Sequence, residues 1–349
     1  MMRFYQQQHE FYCGVDLHSN CLYVCVVDAA GNKLLHRNFK NNRLDLLLAK
    51  LQPYLQADFV LACESTFNWY WLADWCADND LPFLLGHALY MKAIHGGKTK
   101  NDAIDSEKIA RLVRGGNFPV AHVYPQARRA TRDLMRRRTY LVRRRAETLA
   151  HIQMLHLQQN LPKPGTRVKY KSNRAGVGDN FADPSAKLNV NIDLALLRSY
   201  DEQIHQMELH LEQTAKVDDA NQYFRLQTIP GVGLVLALTI LYEIGSIDRF
   251  PSVGDFLSYA RLVRGSHTSN GKRYAATGSK IGNPHLKWAF GEAAVLLKRE
   301  LPAAAALAER IEKRQNKMRA LTMLSVKLGR AVYYMMKRQE VFDPSIFKK

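Results

Sequence analysis

Asp102 and Asp105 stand three residues apart in the stretch Gly97-Lys98-Thr99-Lys100-Asn101-Asp102-Ala103-Ile104-Asp105-Ser106-Glu107-Lys108-Ile109-Ala110-Arg111-Leu112. The stretch reads as a short polar loop running into a helix, with Ile104, Ile109 and Leu112 as a narrow apolar stripe. Helical spacing puts both carboxylates on one face. In a chain of formal charge +18 and pI near 9.7, such a pair suits a cation held beside a polyanion. Magnesium takes oxygen ligands, usually one or two carboxylates with waters and substrate phosphate oxygens. The plainer alternative is a pair of first-turn acids that complements the helix dipole. A second candidate is basic. Arg128, Arg129, Arg132, Arg136, Arg137, Arg138, Arg143, Arg144 and Arg145 face a single acid in their run, Asp133. Such a run suits phosphate, which Arg grips bidentately while its flat face stacks on bases. A solvated helix face is the alternative.

The elements around the acids give them places. Phe11 to Leu17, Cys21 to Asp28 and Lys33 to Phe39 alternate as strands, joined by links with turn chemistry, so a three-strand meander is expected with Asp16 near the end of its first strand. A helix over Leu44 to Leu55 follows. Phe59 to Cys63 is a buried-type strand with Glu64 at its carboxyl end, Phe67 to Cys76 an aromatic-rich helix, and Leu81 to Leu85 a short strand. A meander followed by alternating units is the pattern of a ribonuclease-H-like domain. In that fold, acids from the first strand, the fourth strand and a late helix converge on two metals. Asp16, Glu64, Asp102 and Asp105 occupy those places, although each alone would pass for a solvated acid. Two metals about 3.5–4 Å apart stabilise the attacking and leaving oxygens of a phosphoryl transfer.

Beneath the arginines, Leu134, Leu141, Leu149, Ile152 and Leu155 form a helical stripe, and Leu197, Tyr200, Ile204, Met207 and Leu211 form a coiled-coil seam. Between them Asn160 to Ala186 is rich in Pro, Gly, Lys and Asn. The expectation is a helical hairpin with a long, mobile, basic connection. Leu226 to Leu234 contains Pro230-Gly231-Val232-Gly233 before an apolar helix. This segment is similar to a helix-hairpin-helix, whose turn offers backbone N–H groups to phosphate; a packing turn is the alternative. Arg261 to Arg273 reads as a polar, basic loop, and Leu301 to Arg338 as helix. The expected architecture is α/β plus α, with an RNase H/RuvC-like domain over 1–125, a basic helical hairpin or coiled coil over 126–222, and a mainly helical domain over 223–349. Five cysteines (Cys13, Cys21, Cys25, Cys63, Cys76) lack CxxC spacing, which argues for reduced thiols over a zinc site or disulfide frame. No signal-type apolar stretch opens the chain, and its longest apolar run, Leu234 to Tyr242, is too short to span a bilayer. A cytoplasmic, nucleoid-associated bacterial protein without a membrane partner is expected.

Two separated motifs then agree. The quartet Asp16, Glu64, Asp102, Asp105, with Lys100-Asn101-Asp102-Ala103-Ile104-Asp105 at its end, resembles the N-terminal DEDD domain of the insertion-sequence 110 transposases, with details closer to their 1111 group. Ile229-Pro230-Gly231-Val232-Gly233, Arg249-Phe250, Arg261-Leu262-Val263 and Thr268-Ser269-Asn270-Gly271-Lys272 resemble that family's C-terminal domain. Pilin-gene invertases are relatives. The resemblance implies a DNA recombinase whose RuvC-like domain binds Mg²⁺ through the acidic quartet. It also implies a C-terminal serine that links covalently to DNA, a structured non-coding RNA that guides the choice of donor and target, and a tetramer with active sites shared between subunits. The family's nucleophile is directly followed by Gly, whereas here Asn270 precedes Gly271; Ser269 fits the position best and Ser266 is the rival. Lys272 and Arg273 would favour the alkoxide. Two other classes stay open: a RuvC-like, metal-dependent, structure-selective nuclease that uses water, and a non-catalytic nucleic-acid-binding protein with a decayed acidic site.

Overall fold

The computed structural model describes residues 3–94, 101–162, 166–263, 266–275 and 281–348, so the polar loop 97–100 lies outside the described residues. The chain divides into two compact units, Met1–Ala127 and Arg128–Lys349.

In the first unit, β1 (Phe11–Leu17), β2 (Cys21–Asp28) and β3 (Lys33–Lys40) form an antiparallel meander. Helix α1 (Leu44–Leu55) leads to β4 (Phe59–Glu64), which lies parallel to β1. Helix α2 (Trp69–Asp78) leads to β5 (Phe83–Gly86), parallel to β4. Two short elements join those expected: helix α3 (Ala88–Ile94) and, after α4 (Asp102–Arg114), strand β6 (Val120–Ala121) antiparallel to β5. The sheet order is β3-β2-β1-β4-β5-β6. Phe59-Val60-Leu61-Ala62-Cys63 is buried throughout, as a strand covered on both faces requires. Strand alternation sorts the two faces. Cys13, Val15, Leu17, Phe59, Leu61 and Cys63 join Leu47, Leu51, Leu72 and Cys76 of α1 and α2 in one core. Tyr12, Val60 and Ala62 join Ile109, Ala110 and Val113 of α4 in the other. By the same period of two, Asp16 and Glu64 belong to the face that α4 covers. The five cysteines are free, and four are buried.

In the second unit, α5 (Gln126–Gln158) and α6 (Pro184–Gln227) run antiparallel. The ion pairs Arg138–Glu208 (2.5 Å), Arg145–Asp201 (2.5 Å) and His151–Asp193 (2.6 Å) fix the direction, since partner numbers fall on α6 as they rise on α5. The connection departs from the mobile loop expected. Three short 3₁₀ turns (Thr166–Lys169, Lys171–Asn173, Val177–Asn180) fold onto the helices. Val168, Val177 and Phe181 share a small core with Ile152, Val190, Leu194 and Leu197. Arg174 is buried, pairs with Asp201 at 2.7 Å and donates to the carbonyls of Val168 and Lys169. A basic composition concealed these apolar anchors. Helix α7 (Leu234–Ile244) is buried almost all round. It packs with α8 (Val253–Tyr259), α9 (Pro284–Glu300), α10 (Pro302–Arg314) and α11 (Lys317–Arg338) around the main core of this unit. Among the described residues, no helix is long and apolar enough to cross a membrane.

Candidate metal centre and serine hairpin

The acids are positioned by one close approach. Helix α4 crosses β1 at Gly14, where an added Cβ would lie 2.2 Å from the Ser106 carbonyl oxygen and 2.4 Å from the Ala110 nitrogen. Both obstacles are backbone, so only glycine admits the helix at this depth. The start of α4 is fixed as well. Asn101 caps it by accepting from the Ala103 N–H, the His36 ring donates to the Ala103 carbonyl at 2.8 Å, and Ser106 Oγ donates to that same carbonyl. Asp102 and Asp105 therefore occupy the first turn of a helix pressed onto the sheet beside Asp16. Gly14→Ala is expected to push α4 off β1, destabilising the unit by about 1–3 kcal/mol as overpacking does. An ångström of misplacement costs about 10²-fold in rate. Urea unfolding read beside cleavage checks both; an unaffected variant would mean that the helix seat is adjustable.

Asp16 and Glu64 sit side by side, each one residue beyond the registered pair Val15–Cys63 of two parallel strands. His18, in the turn after β1, places Nε2 3.0 Å from Asp16 Oδ2 and 3.3 Å from Asp102 Oδ1. The ligand atoms of Asp16, His18 and Asp102 all lie within 4.8 Å of one another. Asp105 is 3.0 Å from the Lys108 ammonium and acts on Asp16 through its charge. Burial pushes the Asp16 carboxyl up; His18 draws it down, Asp105 and Asp102 push it up again, and the net direction is upward. The donor set fits a divalent cation: carboxylates from two elements converge, one half-buried and one open, and their mutual repulsion is what a cation relieves. Asp16 and Asp102 are thus brought together, with Asp105 in their field and Glu64 on the neighbouring strand end. His18 escaped the sequence reading, although its place two residues after a strand-end acid was a signal.

The expected polar loop over Arg261 to Arg273 contains a β-hairpin. Strands β7 (Ser266–Ser269) and β8 (Lys272–Ala275) pair antiparallel, with Ser269 opposite Lys272, Thr268 opposite Arg273 and Ser266 opposite Ala275. Asn270 (φ 49°) and Gly271 (φ 72°) are the two turn residues, the positive-φ pair that a tight hairpin requires and Asn-Gly favours. Asn270 therefore separates Ser269 from glycine because it is half of the turn.

The arginine helix is more heavily paired than its sequence suggested, because the acids come from α6 and α7. Arg138 and Arg145 pair with Glu208 and Asp201, Arg129 is buried, and Arg128 donates to the Asp218 carbonyl. Arg136 makes two hydrogen bonds, 2.7 and 2.8 Å, to the fully buried carboxylate of Glu243. Arg137, Arg143 and Arg144 remain exposed. Glu243 also accepts from Asn283 Nδ2 at 2.7 Å. Asn283 caps α9 and donates its backbone N–H to the Tyr259 carbonyl, while Arg261 donates to the Ile281 carbonyl. These bonds clamp the segments on either side of the serine hairpin. Burial raises the Glu243 carboxyl, yet Arg136 and Asn283 hold it net below its usual range. Glu243→Ala, which takes from Arg136 and Asn283 their shared buried acceptor but leaves Arg136 partly open to water, is expected to cost about 1–3 kcal/mol. In the unsubstituted chain the pair's contribution is full above the ordinary Glu value of about 4.3 and is lost as pH falls through the lower folded value. Urea unfolding of both chains against pH checks each part.

Comparison with known proteins agrees with these two assemblies. A DEDD transposase family matches residues 13–162, and the family described as "Transposase IS116/IS110/IS902 family" matches residues 223–309. The transposase for insertion sequence element IS1111A of Coxiella burnetii is 24% identical over 336 residues, covering 94% of this chain and 90% of its own. The transposase for insertion sequence element IS1328 of Yersinia enterocolitica is 26% identical over 282 residues, covering 78% and 80%. With one match over the acidic sheet and the other over the start of the C-terminal helices and the serine hairpin, the chain belongs to the IS116/IS110/IS902 family of insertion-sequence transposases, enzymes of DNA phosphoryl transfer.

Proposed function

We propose that this transposase cuts and rejoins donor and target DNA with Ser269 as nucleophile and Mg²⁺ held by Asp16, Glu64, Asp102 and Asp105. The observation that carries the reading is the convergence of Asp16 and Asp102, 86 positions apart in sequence, on one half-buried point in a strongly basic chain. When bound, the metal would supply Lewis-acid stabilisation of charge on the phosphoryl oxygens. Ser269 Oγ attacks the scissile phosphorus, loses its proton, and forms a phosphoserine ester as the DNA P–O bond breaks and a strand-end hydroxyl leaves. Attack by a DNA hydroxyl on that ester releases the serine. One ester replaces another at each step, so no external energy source enters. Lys272 and Arg273 supply positive charge to the alkoxide and the transition state.

A guide non-coding RNA selects the sites, and the exposed Arg137 and Arg143 are the part of the arginine helix open to its phosphates, whereas Arg144 is held by Glu147 at 2.6 Å. The α5–α6 hairpin serves as a coiled coil in a homotetramer, and the helix-hairpin-helix-like turn at Pro230-Gly231-Val232-Gly233 offers amides to DNA. Three functional parts, 1–125, 126–222 and 223–349, divide these tasks in the bacterial cytoplasm at the nucleoid. The test incubates the protein with Mg²⁺ and DNA carrying the element's ends, and sequences RNA that copurifies. A denaturation-resistant protein–DNA adduct and a structured co-purified RNA are expected. Free ends without an adduct mean a water-using nuclease, and intact DNA means a binding protein only. Replacing Arg137 and Arg143 by Ala is expected to flatten log K against log [salt] by about 0.7–0.9 per lost phosphate contact. An unchanged slope would leave the arginines a solvated face.

A further inference from the structure

We propose that His18 is a nitrogen ligand of the metal centre and biases it towards later divalent transition ions such as Co²⁺ over Mg²⁺; this rests on the reading of the acidic quartet as a metal site. The ring nitrogen Nε2 already occupies the point shared by Asp16 and Asp102, 3.0 and 3.3 Å from their oxygens. A cation drawn to both carboxylates meets that nitrogen as well. In the neutral tautomer protonated at Nδ1, Nε2 offers a lone pair and adds a donor without adding a fifth negative charge.

The turn that carries the ring is braced from three sides. The His18 N–H donates to the Cys21 carbonyl at 2.9 Å, and its own carbonyl accepts from Asn41 Nδ2 at 3.0 Å and Asn68 Nδ2 at 2.9 Å. Asn41 follows β3 and Asn68 precedes α2, so residues next to three elements fix one backbone position beside the carboxylates. The ring itself is 43% exposed and open to an incoming ion. Carboxylates and water favour magnesium, calcium and manganese, whereas imidazole favours the later transition metals. Mixing the two donor types should shift selectivity, and His18 is the residue that sets the mix. Asn41 and Asn68 act as positioning residues for it.

The experiment measures metal binding to the full chain without DNA. Pulsed EPR of the Mn²⁺-loaded protein is expected to show nitrogen coupling that His18→Ala removes. Titration with Co²⁺ and with Mg²⁺ is expected to show Co²⁺ affinity falling by about tenfold or more in His18→Ala and in His18→Asn, the scale on which metal sites respond to a lost supporting group, with Mg²⁺ affinity changing by less than about threefold. Asp102→Asn is expected to weaken both metals. Absence of nitrogen coupling in the unsubstituted chain, or an unchanged Co²⁺-to-Mg²⁺ ratio in both His18 variants, overturns the assignment of His18. If Asp102→Asn binds both metals as tightly as the unsubstituted chain, the quartet reading fails and this inference falls with it. Weakened binding in Asp102→Asn beside unaltered His18 variants removes His18 alone.

Discussion

Asp102→Ala is expected to abolish strand cleavage, by roughly a thousandfold or more, while leaving nucleic-acid binding and the fold intact. The size follows from the several kcal/mol that a bound metal contributes to a phosphoryl transition state, at about 1.4 kcal/mol per tenfold in rate. The selectivity follows from position. Asp102 is a partly exposed first-turn residue whose neighbour Asn101 supplies the cap, so losing its carboxylate removes no buried support from α4. Taking away negative charge also does not weaken attraction to a polyanion. Asp16→Ala is expected to lose the same activity. Normal cleavage by Asp102→Ala would remove the metal assignment. A mixture with the serine variant extends the test: co-expressed Asp102→Ala and Ser269→Ala chains are expected to regain part of the activity if subunits share sites.

Ser269→Ala is expected to eliminate both the denaturation-resistant adduct and strand exchange, with DNA and RNA binding preserved. A metal-dependent nuclease needs no protein hydroxyl, because a metal-bound water attacks in its place. A serine recombinase cannot act without one. The hairpin holds Ser269 opposite Lys272 through backbone pairing, which an alanine at this position can also make. The cost to the fold is therefore expected within about 0.5 kcal/mol. Ser266→Ala, at the far end of the same strand, is the matched control and is expected to keep both activities. Adduct formation lost in Ser266→Ala but retained in Ser269→Ala would move the nucleophile three positions upstream.

The sheet was legible because its signals are local. The meander and the apolar run Phe59 to Cys63 announce strands by alternation and by β-branched or apolar content, and the observed strand ends differ from the expected ones by a residue or two. The quartet's places were legible for the same reason, since they are strand ends and a helix start. What escaped reading depends on partners remote in sequence. Gly14 looks like any strand glycine until Ser106 and Ala110 are laid against it. Glu243 lies in a helix apolar enough to be taken as pure core, and its role exists only with Arg136 and Asn283 in place. The serine hairpin is hidden for another reason: Asn270-Gly271 is an ordinary tight-turn pair, but the strands that it joins have four residues each, too few and too polar to stand out by alternation.

Asp201 carries a consequence beyond its two ion pairs. One of its carboxylate oxygens holds Arg145 of α5, and the other holds Arg174 of the 3₁₀ connection. A single side chain of α6 therefore couples the tip's cap to both helices. Opening of the cap would strand a buried guanidinium, and separation of the helices would release the cap. The distal hairpin is accordingly one cooperative unit, whose amides should exchange with solvent together.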